Sequence, residues 1–273
     1  MDLVHVERLE PARRSSLDRW RPGDAWLAGG TWLFSEPQPR VRRLLDLAAF
    51  GWAPLSVTAD GLELAATCTL AELAGFAPPP HWPAGRLLRQ ACEALLGSFK
   101  IWNEATVGGN LCLALPAGPM TSLTASLDGI CTIWNPHGEV IRVPASRFVV
   151  GHGRNVLRDG ALLRSVTLPE RALRSRTAFR QVSRSRLGRS AAVVTGRRDP
   201  DSGETVITVT ASVTRPVQLR FPHGVPSAPE LTVAIDEAAP PYFDDPHGTS
   251  AWRAHLTPLL AEQARAELES GRP

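Results

Sequence analysis

The chain has 273 residues, 43% apolar and 21% charged, with a formal net charge of +3. It is nearly twice the roughly 150 residues that serve as a prior for one domain, so two packed units are expected in place of one large core. The composition excludes a disordered, collagenous or coiled-coil chain, and no apolar run approaches the ~20 residues of a membrane helix.

Met1 to Arg8 lacks a positive segment followed by an apolar one, so no secretory leader is read there and a cytoplasmic protein is expected. All but one of the 30 basic residues are arginine, the exception being Lys100. This reads as a codon-composition bias. The arginine-dense stretch from Arg171 to Arg198 is offset by acidic residues elsewhere, which argues against a nucleic-acid surface. Cys68, Cys92, Cys112 and Cys131 are far apart, with no C-x-x-C pair. They read as free, buried thiols, and their spacing argues against a local iron–sulfur cluster.

Pro and Gly punctuate the chain, and no repeat period appears. A short opening strand is expected around Leu3 to Glu7. Asp24 to Leu27 reads as a buried strand entering a tight turn at Gly29-Gly30, which Thr31 to Leu33 leave, and Arg43 to Asp46 reads as a second strand. Leu55 to Ala66 predicts a hairpin turning at Asp60-Gly61. Thr69 starts a short helix through Leu73, ended by Pro78-Pro79-Pro80. Arg86 to Leu96 carries a helical apolar face and stops at Gly97.

Pro119 to Leu127 reads as a helix leading into a strand at Ile130 to Trp134, and the turn Asn135 to Gly138 returns the chain through Val140 to Val143. An α+β unit is expected to end near Pro169. Beyond it, strands are expected at Thr177 to Val182, Ala191 to Gly196 and Thr205 to Val213. The turn Asp199-Pro200-Asp201-Ser202-Gly203 connects the last two. Thr249 or Ser250 caps a final helix that Pro258 is expected to bend or restart.

Two glycine pairs carry the chemistry: Ala28-Gly29-Gly30-Thr31 and Thr106-Val107-Gly108-Gly109-Asn110. A Gly-Gly step lets backbone N–H groups approach phosphate oxygens, and Thr31, Thr106 and Asn110 add hydrogen bonds. Neither pair forms G-x-G-x-x-G on a strand-to-helix turn, and Gly151-His152-Gly153 lacks the third glycine, so a Rossmann site is disfavoured. The seven histidines show no His-x-x-x-His pair, and no G-x-S-x-G elbow occurs. A metal centre and a serine hydrolase therefore have no constellation to stand on.

Read as longer segments, the loops resemble the flavin-binding subunits of the molybdenum hydroxylases, the group of carbon monoxide dehydrogenase and xanthine dehydrogenase. A-G-G-T/Q-x-L is matched by Ala28 to Leu33. I-R-N-x-x-T-x-G-G-N-x-x-x-A-x-P-A is matched by Ile101 to Ala117, with Asn103, Thr106, Gly108, Gly109, Asn110, Ala114, Pro116 and Ala117 in place. Leu162-Leu163, Leu168-Pro169, Ala178-Phe179-Arg180 and the segment Asp244 to Arg253 extend the likeness over essentially the whole chain. Trp102, Leu115 and Pro119 depart from the family's usual arginine, serine and aspartate.

The resemblance implies an α+β fold, with a FAD-binding domain of the PCMH/vanillyl-alcohol-oxidase type at 1–170. That domain would have subdomains at about 1–52 and 53–170, and a small C-terminal sheet-plus-helix domain would follow at 171–273. It implies that Leu27, Ala28, Gly29, Gly30, Thr31, Trp32, Leu33 and Phe34 hold the FAD diphosphate and ribityl chain together with Thr106, Val107, Gly108, Gly109 and Asn110. Pro116 belongs to the same site, and Leu163 and Arg180 lie beside the flavin.

The resemblance further implies an electron-transfer oxidoreductase subunit. Molybdopterin and 2Fe-2S clusters sit on partner subunits, a large molybdopterin-binding one and a 2Fe-2S one, and electrons leave for an external acceptor. The three departures are compatible with a rearranged adenine or ribose end, or with lost flavin. Two rivals share the fold: a free-standing flavin oxidase or reductase, and a scaffold subunit without flavin.

Overall fold

The computed structural model describes residues 3–185, 188–238 and 241–271. Met1 and Asp2 of the segment read for a leader, and Arg186 of the arginine-dense stretch, lie outside the described residues. The fold is α+β. Strands β1 (Arg8–Pro11), β2 (Asp24–Leu27) and β3 (Arg43–Asp46) form a parallel sheet in the order β1-β3-β2.

A second, antiparallel sheet takes β4 (Leu55–Thr58), β5 (Gly61–Ala65), β6 (Ile130–Trp134) and β7 (Val140–Pro144). After the small hairpin β8 (Val149–Gly151) and β9 (Arg154–Asn155), the chain returns as β10 (Leu162–Pro169) and enters the middle of this sheet, in the order β4-β5-β10-β6-β7. The third sheet is the antiparallel meander β11 (Arg176–Ser183), β12 (Ser190–Arg198), β13 (Thr205–Thr210) and β14 (Val217–Phe221).

The helices are α1 (Leu70–Gly75), α2 (Arg86–Glu93), α3 (Phe99–Glu104), α4 (Val107–Leu113), α5 (Pro119–Ser126), α6 (Ala145–Phe148), α7 (Glu170–Leu173), α8 (Ala228–Ala238) and α9 (Ser250–Ser270). Thr69 caps α1 in a reciprocal capping box with Glu72.

Burial sorts the chain into three cores. The largest lies between the second sheet and its helices, around Leu62, Leu64, Leu88, Leu111, Phe148 and Val166. The third sheet packs Val194, Ile207 and Val209 against Leu256, Leu260, Ala264 and Leu268 of α9. The parallel sheet closes a smaller core with an aromatic margin, where Phe50 stacks on Trp52 at 4.5 Å and Arg14 lies 4.0 Å above the Trp134 ring.

Several expectations are corrected. The opening strand is Arg8–Pro11, not Leu3 to Glu7: the Val6 amide donates back to Leu3 O at 2.9 Å and closes a turn first. Helix α2 stops at Glu93, because the Ala94 amide tightens onto Gln90 O and Ala91 O ahead of Gly97. Helix α9 runs unbroken through Pro258. Proline removes one donor, but buried Leu256, Leu260 and Ala261 hold both sides of it to the sheet, and Thr257 Oγ1 donates to Arg253 O at 2.9 Å. Strands β8, β9, β10 and β14 and helices α3, α4, α6, α7 and α8 lie where no element was expected. No helix among the described residues is long and apolar enough to cross a membrane.

Candidate functional site: a two-walled cleft

Strand β2 delivers the chain to Ala28-Gly29-Gly30. A Cβ on Gly29 would run into the Glu104 carbonyl at the end of α3, so this glycine lets the first loop touch the segment leading into the second. Gly30 has φ +68° and lies under the Phe34 ring. The Phe34 amide donates to Gly30 O at 2.8 Å, curling Thr31 to Ser35 into a tight turn. The amides of Gly29, Gly30, Thr31, Trp32 and Leu33 consequently donate to no protein acceptor among the described residues. Consecutive free N–H groups in a turn are an anion-binding arrangement.

The second loop is built differently. Thr106 is the extended N-cap of α4, and its Oγ1 accepts from the Gly109 amide at 3.0 Å. The Val107 amide donates to Cys68 O at 2.8 Å and the Gly108 amide to Ala66 O at 2.9 Å. A Cβ on Gly108 would sit 2.5 Å from Ala66 Cβ, so this glycine serves packing. The amides of the first glycine pair are free among the described residues, whereas those of the second are already used within the protein, which corrects the expectation that both pairs have N–H groups to offer to phosphate. What the second loop offers is the Thr106 hydroxyl hydrogen and the Asn110 amide nitrogen, since Asn110 Oδ1 accepts from the Met120 amide at 3.0 Å.

Both loops line one cleft of about 820 Å³. It brings together Leu27, Ala28, Gly29, Gly30, Thr31, Trp32 and Leu33 with Thr106, Gly109, Asn110 and Pro116. Five of the proposed site residues are not among the lining residues. Phe34 packs on Gly30 from outside, and Val107 and Gly108 are buried beneath the loop. Leu163 is 1% exposed and pairs with Ile133 in the second sheet. Arg180 pairs with Glu267 of α9 at 2.6 Å. The departures separate too: Leu115 lines the cleft, Trp102 packs on the main core and Pro119 is buried at the start of α5.

Sequence reasoning missed most of the remaining wall. Leu96, Ile101, Cys112 and Leu113 make it apolar on one side. The C-terminal unit supplies Arg189, Ser190, Asp245, Pro246 and His247, and His152 joins them. The segment from Phe243 to His247 is held by Arg253, which is 1% exposed. Its guanidinium donates to Phe243 O at 2.6 Å, Asp245 Oδ1 at 2.7 Å and Ala191 O at 3.1 Å. The signal for this clasp was the Asp244 to Arg253 segment, already singled out but given no site role. All four cysteines are free, and burial pushes the Cys112 thiol up to about 12, so it faces the cleft as a neutral thiol. No group of three or more His, Cys, Asp or Glu among the described residues is placed to hold a metal ion.

The chain is similar in structure to quinoline 2-oxidoreductase from Pseudomonas putida 86, with a TM-score of 0.82, 22% identity and 99% of each chain covered. It is similar as well to CO dehydrogenase from Oligotropha carboxidovorans, with a TM-score of 0.80, 17% identity and 99% of each chain covered. In sequence it is 29% identical to xanthine dehydrogenase of Oryza sativa subsp. japonica over 121 residues, 42% of this chain and 9% of that protein. The chain thus spans about a tenth of the length of the curated relatives it matches. Residues 14–171, which contain both glycine loops, match the model of the FAD binding domain in molybdopterin dehydrogenase, and the chain belongs to that family.

Proposed function

We propose that this chain is the FAD-carrying electron-transfer subunit of a molybdenum-containing hydroxylase. In this reading a 2Fe-2S subunit passes electrons to it, a large subunit holds the molybdopterin, and an external acceptor takes the electrons from the flavin. The observation that carries the proposal is the run of free amides from Gly29 to Leu33, turned into a cleft that Thr106, Gly109 and Asn110 close from the other side. Its volume of about 820 Å³ suits a dinucleotide-sized ligand, within the ~300–1,000 Å³ of small-molecule sites.

When bound, FAD supplies a carrier that accepts electrons from one partner and hands them to another. The chain's own residues bind and orient it. The first loop's N–H groups meet the diphosphate charge, while the Thr106 hydroxyl and the Asn110 carboxamide donate from the second loop. Leu96, Ile101, Leu113 and Leu115 keep one side of the ligand dry. Arg189 brings a cation from the opposite wall.

Exposed Phe34 and Phe99, which do not line the cleft, favour a partnered subunit over a free-standing oxidase. The organic substrate then belongs to the partner, and the cytoplasm is the compartment we assign. The test is an absorbance spectrum of the purified chain with identification of the released cofactor. Bands near ~370 and ~450 nm from a group released as FAD support the reading; a protein that stays colourless after incubation with FAD defeats it.

A further inference from the structure

Helix α5 is buried along its whole length, yet it carries four hydroxyls. Thr124 satisfies its own by donating to Met120 O at 2.7 Å. Ser122 and Ser126, four residues apart, share the face toward the C-terminal sheet. There Ser122 Oγ accepts from Thr210 Oγ1 at 2.9 Å, and Ser126 O accepts from Arg197 Nε at 3.1 Å. Thr208 lies two residues from Thr210 on the same face of β13.

Thr121, Ser126, Thr208 and Arg197 are each at most 2% exposed. Thr121 Oγ1, Ser126 Oγ, Thr208 Oγ1 and Arg197 Nη1 nevertheless have no partner. A buried polar group left unsatisfied costs about 1–3 kcal/mol. Three of the four, on Ser126, Thr208 and Arg197, lie along one junction, a pattern that internal water normally resolves.

The junction has two ends. At one, a hollow of about 10 Å³ has Ser122, Ser190 and Thr210 set in an otherwise apolar lining that includes Phe179 and Val193, and it shares Gly118 and Ser190 with the wall of the large cleft. That volume is about one water. At the other end Asp128 accepts from Arg197 at 2.6 Å, from Gln218 at 3.2 Å and from Arg171 at 3.2 Å, and pairs with Arg220. The side chains of Arg171 and Arg220 reach solvent there, at 60% and 40% exposure. From Thr210 to the level of Arg197, which pairs with Val206, is four strand residues, about 13 Å.

We propose that this hydroxyl seam is an internal water site and that its waters and hydroxyls carry protons between solvent at Asp128 and the cleft. Each oxygen passes its hydrogen to the next and receives one from behind, so no heavy-atom bond changes and one proton moves. The relay rests on the flavin reading, because it answers the charge that iron–sulfur electron donors deliver to the cleft. The water site does not rest on it.

The test uses the full chain and three variants: Thr208→Val and Ser126→Ala on the seam, and Thr124→Val as control. Thr124 is as buried as the seam hydroxyls but already donates to Met120 O. Oxygen-17 magnetic relaxation dispersion counts long-lived internal waters without any flavin. The count is expected to fall in both seam variants and to hold in the control; an unchanged count in both overturns the water site.

The FAD-loaded chain is then reduced by dithionite with a pH-indicator dye, with free FAD measured in parallel to subtract the reductant's own protons. Proton uptake is expected to slow about tenfold in the seam variants, equivalent to about 1.4 kcal/mol of barrier. Flavin content stays unchanged. Wild-type proton uptake in flavin-loaded seam variants overturns the relay alone. A chain that takes up no FAD defeats the flavin reading and the relay with it, while the water count stands separately. Should Thr208→Val fail to fold, Ser126→Ala alone decides both measurements.

Discussion

At Gly108 and Gly109 two neighbouring residues of the same type do different work. A Cβ on Gly108 meets Ala66 Cβ at 2.5 Å and Ala66 O at 2.7 Å, so Gly108→Ala is an overpacking change. It is expected to cost about 1–3 kcal/mol in denaturant unfolding. Gly109 is open to the cleft, and a Cβ there meets only Thr106 Oγ1, at 2.9 Å. Gly109→Val is therefore expected to abolish flavin retention while leaving the circular dichroism and cooperative unfolding of the C-terminal unit in place. Full flavin content in Gly109→Val would remove the second loop from the site. Cys112→Ser should leave flavin bound, because the neutral thiol has no ligand role; loss of the 450 nm band would contradict that. The motif spacing made both glycine loops legible in the sequence. It did not show which amides were free, because that depends on Cys68 and Ala66, residues outside either motif, as acceptors.

At the scale of elements, the turn after α5 decides how the C-terminal sheet is docked. Asp128 sits at φ +50° and its side chain is 10% exposed. Burial opposes its charge, but Arg197 and Arg220, with the hydrogen bond from Gln218, outweigh burial and hold the carboxyl below its ordinary 3.8. A lowered folded-state value means that this stabilisation is present above 3.8 and disappears as pH falls through the folded value. Asp24, beside Arg43, and Asp199, beside the Ser202 and Asp201 amides, are shifted the same way and lose stability in the same direction.

Asp128→Asn tolerates the backbone conformation but leaves buried Arg197 without its counter-charge. It is expected to cost about 3–5 kcal/mol at neutral pH and to flatten the acid limb of the stability curve. Urea unfolding from neutral pH to below 3.8 checks both; an unchanged acid limb would mean that Asp128 is not a main titrating contact. Period and punctuation made β2, β3, β6 and the Asp60-Gly61 hairpin legible. They could not locate β14, whose five residues are stabilised by pairing with β13, nor the continuity of α9 through Pro258, which tertiary packing supplies.

At the scale of the whole molecule, the cleft is a joint construction. The parallel sheet delivers Gly29 to Leu33, the segment from Leu96 to Gly118 delivers the apolar side and Asn110, and the third unit closes the opposite wall with Arg189, Ser190 and the Arg253-clasped segment at Asp245 to His247. A ligand touching all three walls binds the assembled state and not the separated units. At a free concentration 100 times Kd, such a ligand adds about 2.7 kcal/mol to folding.

FAD is therefore expected to raise the melting temperature of the chain by several degrees in a single transition. It should also slow amide hydrogen exchange in β12 and β13 as well as in β5 and β10. Protection confined to residues 55–169, with β12 and β13 exchanging as fast as without FAD, would show that the C-terminal wall does not close on the cofactor. Arg189 and His247 would then be neighbours of the site and not part of it. Arg253→Met separates the two cases further, because it keeps the side chain's apolar stem while releasing Asp245 and the Phe243 carbonyl. If the clasped segment bears on the ligand, FAD retention falls in that variant and the added protection of β12 and β13 falls with it.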